Sequence, residues 1–196
     1  MVEIDRRVAR TRRLLAAALV ELVNEQDYES ITIRDITDHA DIGYATFFRH
    51  YNSKDDLMLE IFTRIIDELE SLSNQRAEHS FEQEGRHFFQ HVAENAALYR
   101  SILDSLPFAR KLRDNIVQRI RGHLESHAKE IPEPVIPVDI AAQHLVSSIL
   151  GLVDWWLAND IPYPVEQMAL IYERLTVRAT LIAMIPENQL TLPLLK

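Results

Sequence analysis

The sequence predicts an all-α protein of about nine helices, with a small three-helix unit at the N-terminus and a larger helical part after it. Three observations carry this. Apolar residues recur at helical spacing along the chain. Glycine is scarce, 4 in 196 residues, and most of the 8 prolines sit late, both against a hairpin-rich β fold. Hydrophobic residues make up 47%, enough for a substantial buried core.

Val8, Leu15, Leu19, Leu22 and Val23 share one face of a helix from about Arg6 to Glu25, and "QDYES" breaks it. Thr32, with Asp35 three residues on, has the spacing of a capping box. Ile33, Ile36 and Ala40 then form the inner face of a short second helix. "DIG" interrupts; Gly43 can take backbone angles other residues avoid, and can also cap the helix that follows. The third helix is expected over Tyr44 to Tyr51. Asn52 and Ser53 end it, and Ser53 with Asp56 starts a long fourth helix, carrying Leu57, Ile61, Ile65, Leu69 and Leu72 to about Asn74. "QRAEHSFEQEG" is the weakest candidate boundary. Helices are expected next at about Phe81 to Asn95, Ala96 to Ser105 and Pro107 to Lys129, with Pro107 suited to a first helical turn. "PEPVIP" (Pro132, Pro134, Pro137) reads as a stiff linker. The last two helices, Val138 to Asn159 and Val165 to Ile185, are split by "DIPYP" and stopped by Pro186.

There is no cysteine, which excludes disulfides, thiol catalysis and Cys-ligated zinc. No run of 18 apolar residues occurs, and the Arg-rich start leads into a periodic helix broken by Glu21 and Glu25, so neither a membrane span nor a signal peptide is expected, and the location expected is the cytoplasm. A net charge of −9 should repel polyanions as a whole. Residues 1 to 13, however, set Arg6, Arg7, Arg10, Arg12 and Arg13 against Glu3 and Asp5, a local balance of +3. That run is either a solvated face or an arm for a nucleic-acid backbone.

Two short helices joined by a tight turn, with a third before them, form a helix-turn-helix unit whose second helix must enter a groove about 12 Å wide. Spacing puts Phe47 and Tyr51 on its buried side. Tyr44, Ala45, Thr46, Phe48, Arg49 and His50 are left for the outer side or its flanks. Small Ala45 would allow close approach to bases, Thr46 and His50 can donate hydrogen bonds, and Ser53 and Lys54 can serve a phosphate. An ordinary helical hairpin with buried aromatics has the same spacing.

"TIRDITDHADIGYATFFRHYNSKDDL" resembles the tetracycline-repressor (TetR) family of bacterial transcription regulators over roughly residues 8 to 60, and "WWLANDIPYPVEQM" is similar to the C-terminal region of one branch. The resemblance implies a helix-turn-helix DNA-binding domain over residues 1–53, with the motif at about 32–51, and a helical regulatory and dimerisation domain over 54–196. It implies a homodimer that binds a double-stranded palindromic operator as a ligand-responsive repressor. DNA contacts would fall on Thr32, Arg34, Tyr44, Ala45, Thr46, Phe48, Arg49, His50 and Lys54, with Arg34 able to read guanine, Tyr44 to Thr46 at the base-reading start, and His50 and Lys54 on phosphates. Phe48 stands where the family often has Tyr, and Asp41 where it usually has a turn glycine. From Tyr28 to Asp55 three bases (Arg34, Arg49, Lys54) face five acids (Glu29, Asp35, Asp38, Asp41, Asp55), so the general electrostatic attraction is weak there.

The resemblance also places an effector pocket among the central helices, with Phe88, Tyr99, Phe108, His144 and Trp155 as candidate lining residues for a small molecule; plain core packing explains each of them as well. Family dimers pair their last two long helices, which selects Leu145, Ile149, Leu152, Trp156, Leu175 and Ile182, with internal core as the alternative. Adjacent Trp155 and Trp156 point about 100° apart on a helix, so they cannot face one cavity equally. Glu84, His87, His91 and Glu94 share a face, and His123 with His127 repeats the i, i+4 spacing, but no third ligand is evident and neither metal nor cofactor is expected. No Ser/His/Asp order or Gly-rich phosphate loop stands out, so no enzyme is expected. The competing class is a helical adaptor on the same scaffold with no operator of its own.

Overall fold

A computed structural model describes residues 2–74, 80–127 and 134–186, all of them helix, turn or connecting chain. The first part of the polar boundary (75–79), the expected end of the helix at Lys129 and Pro132 of the Pro-rich linker lie outside these residues, as do the side chains of Leu72 and His127. In order come α1 Val2–Glu25, a 3-10 turn Tyr28–Ser30, α2 Ile33–His39, α3 Tyr44–Phe47, α4 Lys54–Asn74, α5 Phe81–Glu94, α6 Ala96–Asp104, α7 Leu106–His127, α8 Val138–Ala158, α9 Val165–Ile171, a π-helical stretch Tyr172–Arg178 and α10 Ala179–Met184. The last three run on without a break, so the described residues form nine helical rods.

The chain divides into two compact units, Met1–Leu72 with Asn95–Phe108, and Ser73–Glu94 with Ala109–Lys196. In the first, α1 buries Leu15, Ala16, Ala18, Leu19, Leu22 and Val23, the stripe its periodicity demands. It packs on α2 and α6, and α2 packs on α3. Leu57, Met58, Ile61 and Phe62 give α4 its inner face. Phe62 meets Tyr99 edge-on at 5.5 Å and Phe108 at 6.4 Å, while Phe108 meets Tyr28 at 5.3 Å, so aromatic rings form much of this core.

In the second unit α5 packs on α9 and the π-helical stretch. Phe89 lies edge-on to Trp156 at 5.3 Å and to Tyr172 at 6.2 Å. Val117 of α7 packs with Ala142 and Val146 of α8, flanked by Ile116, Ile120, Leu124 and Leu150. Helix α8, 21 residues, is long and apolar enough to cross a bilayer by length and composition alone. Its buried residues Ala142, Leu145, Val146, Val153, Trp156 and Leu157 instead make it a core helix.

Candidate nucleic-acid interface

The two-helix motif is built by local chemistry. Thr32 caps α2: its hydroxyl oxygen accepts from the Asp35 amide at 3.2 Å, while Asp35 Oδ2 accepts from the Thr32 amide at 2.8 Å and from its hydroxyl at 2.7 Å. These bonds hold the exposed Asp35 carboxyl below the ordinary aspartate range. The turn after α2 needs one left-handed residue, and Asp41 supplies it at φ 53°. Ile42 N then donates to Thr37 O at 2.9 Å. Of the two roles open to Gly43 it takes the second: at φ −61° it uses none of glycine's extra freedom and stands as the N-cap residue of α3, its carbonyl accepting from Thr46 N at 2.7 Å.

Helix α3 is also shorter than the expected Tyr44 to Tyr51. It is α-helical over Tyr44–Phe47, and the backbone then tightens, with Arg49 N donating to Thr46 O at 3.1 Å and His50 N to Phe47 O at 2.9 Å. Ser53 Oγ accepts from the Asp56 amide at 3.1 Å and caps α4.

The faces separate as the spacing demands. Phe47 is fully buried and Tyr51 nearly so, with ring centres 5.7 Å apart. Tyr44 and Phe48 are 49% and 47% exposed and meet edge-on at 5.3 Å. The Arg34 guanidinium lies 5.9 Å from the Tyr44 ring centre, so Arg34, Tyr44 and Phe48 form one exposed ladder across α2 and α3. Ala45 and Arg49 are exposed beside it, Thr46 and His50 are half-buried, and Thr32 is exposed at the α2 cap.

Two basic residues are engaged by the protein's own groups. Arg12 lies over the Tyr51 ring at 5.8 Å and 3.6 Å from Glu60. The Lys54 ammonium donates to the carbonyls of Tyr28 at 2.6 Å, Glu29 at 3.1 Å and Ile31 at 2.9 Å. Arg6, Arg10 and Arg13 stay exposed along α1.

The sequence profile of bacterial regulatory proteins of the tetR family matches residues 14–61, the segment that builds this surface. A second profile, the C-terminal region of transcriptional regulators, matches residues 79–177. The chain belongs to the TetR family. A Bacillus subtilis (strain 168) relative, described as an uncharacterized HTH-type transcriptional regulator, YxbF, is 31% identical over 179 residues, covering 85% of this chain. This chain spans only 44% of that relative's length. Among solved structures, a TetR transcriptional regulator from Streptococcus agalactiae superposes with a TM-score of 0.61 at 28% identity, covering 89% of this chain and 98% of that one. A TetR-family regulator from Syntrophomonas wolfei, at 19% identity and TM-score 0.64 over 87% of this chain and 95% of that one, shares the fold.

In this TetR protein the five residues considered for an effector fall in both units. Tyr99 and Phe108 sit in the core of the first unit. In the second, Phe88 is half-buried on α5, His144 is exposed on α8, and Trp155 is 47% exposed and stacks on Tyr163 at 6.0 Å. Of the residues considered for a dimer seam, Leu145 and Trp156 are buried, and the Trp156 indole donates to Tyr163 O at 3.0 Å. Ile149, Leu152 and Ile182 are half-buried, while Leu175 is 66% exposed. Among the described residues no three metal-binding side chains converge. Sequence reasoning missed Tyr28, buried at the centre of the Lys54 cluster. It also missed the packing of Arg12 on Tyr51, although Arg12 stands three residues before Leu15 on the apolar face of α1.

Proposed function

We propose that this chain is a cytoplasmic, sequence-specific transcriptional regulator, a repressor that binds a palindromic DNA operator as a homodimer and responds to a small molecule held in its larger part. The functional division is residues 1–53 for DNA and 54–196 for regulation and dimerisation. One observation carries the reading: α3 is fixed by Phe47 and Tyr51 while Arg34, Tyr44, Ala45, Phe48 and Arg49 stay exposed around it. That is the two-faced helix a major groove requires. Arg34, Tyr44, Ala45 and Thr46 read bases; Thr32, Phe48, Arg49 and His50 lie along the backbone. Two-fold symmetry would set the two copies of α3 on half-sites about 34–36 Å apart.

Selection of binding sequences from a random DNA pool should return an inverted repeat. Thr46→Ala and Arg34→Ala should fold and dimerise yet lose affinity for it by about 1–3 kcal/mol each, in mobility shifts at fixed salt. Full affinity in both variants refutes the residue assignment. No retardation of any fragment at low salt favours the adaptor alternative.

A further inference from the structure

The carbonyls of the 3-10 turn after α1 converge on a single cation. An ammonium has three N–H bonds, and Lys54 directs its three at Tyr28 O, Glu29 O and Ile31 O, 2.6, 3.1 and 2.9 Å away. The same nitrogen lies 4.5 Å from the centre of the Tyr28 ring. Next in sequence, Asp55 Oδ1 accepts from the Tyr28 hydroxyl at 2.6 Å. On the other side of the turn the Tyr28 amide donates to Ser101 Oγ at 3.0 Å, and the Ser105 hydroxyl donates to the Glu29 carboxylate.

The position of this clamp in the chain matters. Ile31 immediately precedes the α2 cap, and Lys54 opens α4, directly after the segment that carries α3. The Lys54–Ile31 bond therefore joins the two ends of the helix-turn-helix and closes it into a ring. Turning the ammonium outward to a phosphate would give up three charge-assisted hydrogen bonds, with Tyr28 O left to the Ile31 amide at 3.2 Å, in exchange for one contact that salt screens. Burial lowers the Lys54 pKa, with the Glu29 and Asp55 charges acting the other way, as fits a cation held inside the fold.

We propose that Lys54 is a positioning residue, which buckles the helix-turn-helix shut and fixes how α3 is presented, and that it makes no contact with the DNA backbone. The proposal rests on the DNA-reading function above. Its test is chosen so that the two can fail separately.

The test uses the full chain with Lys54→Met, which removes both charge and donors, and Lys54→Gln, which keeps two N–H donors without the charge. Amide hydrogen exchange in the free protein needs no DNA. Lys54→Met should speed exchange at His50 and Tyr51, whose amides bond to Phe47 O at 2.9 and 3.0 Å, by about tenfold, and Lys54→Gln should restore much of the protection. On DNA, Lys54→Met should weaken operator binding about tenfold, leave non-specific affinity unchanged, and leave the slope of log K against log salt unchanged. A lost phosphate contact would instead lower both affinities alike, reduce that slope by ~0.9, and do so equally for Met and Gln. That pattern, or unaltered exchange in Lys54→Met, overturns the proposal. If Lys54→Met fails to fold, Lys54→Gln decides: protected amides and a wild-type slope support the clamp, and a reduced slope refutes it. A wild-type protein that ignores DNA removes the regulator reading, while the exchange measurement still judges the clamp.

Discussion

At the scale of single residues, Asp35 shows how one side chain sets a helix start. Its carboxylate takes both the amide and the hydroxyl of Thr32, and those bonds lower its pKa. A carboxyl whose folded pKa lies below its unfolded value contributes stability that is present above the unfolded pKa and lost as pH falls through the folded one. The α2 cap should accordingly weaken only in acid, below the ordinary aspartate range. An NMR titration of the Asp35 carboxyl should show a depressed midpoint in the wild type and a less depressed one in Thr32→Ala, which keeps the amide bond, loses the hydroxyl and gives up a cap worth about 1 kcal/mol. Equal midpoints in the two proteins reject the box as the cause.

Tyr28 makes the same point about polar groups in a core. Burial and the Asp55 carboxylate push its phenol well above the usual tyrosine range, so it stays a neutral donor to Asp55. Its backbone amide reaches Ser101, 73 residues away, a link that no local pattern announces.

At the scale of elements, α5 and α9 come close together at Gly85. A Cβ built on Gly85 would lie 2.7 Å from Tyr172 Cδ1 and 3.2 Å from the Ala169 Cα, so the two helices meet backbone to backbone. Alanine gains about 1 kcal/mol over glycine in helix propensity. Overpacking costs about 1–3 kcal/mol, and the Ala169 main chain cannot rotate aside as a flexible side chain can. Gly85→Ala should therefore lower Tm in thermal denaturation; a raised Tm would show that the crossing yields freely.

Beyond that crossing the rod widens into a π-helical stretch, Tyr172–Arg178, where residues five apart come into line. Glu173 is buried there and pairs with Arg178 at 2.5 Å, which gives a burdensome buried carboxylate its cation. The sequence reads this segment as plain helix because apolar spacing does not register one extra residue in a turn.

At the scale of the whole molecule, the proposed dimer needs an uncommitted apolar surface, and burial narrows where it can be. Leu145 and Trp156 are already buried in the single chain, whereas Leu175 and Trp155 present 66% and 47% of their surface. A Leu175→Glu protein should keep its helical circular dichroism, sediment as a monomer at concentrations where the wild type is dimeric, and bind a full palindrome no better than a half-site, because each copy then docks alone. A dimer that survives the charge moves the seam elsewhere.

The sequence by itself determined the all-helical fold, the helix starts at Thr32 and Ser53, and the burial of Phe47 and Tyr51 beneath an exposed Tyr44 and Arg49. Those features depend on residues three or four apart, so spacing carries them. Only the tertiary structure decided that Lys54 binds three carbonyls and Arg12 lies on Tyr51, that Trp156 rather than Trp155 is buried, that Tyr99 and Phe108 belong to the first unit, and that Gly85 is a crossing point. The partners there are distant in sequence: Lys54 meets a carbonyl 26 residues back. Periodicity tells which side of a helix faces inward, and it holds no information about what waits on the other side.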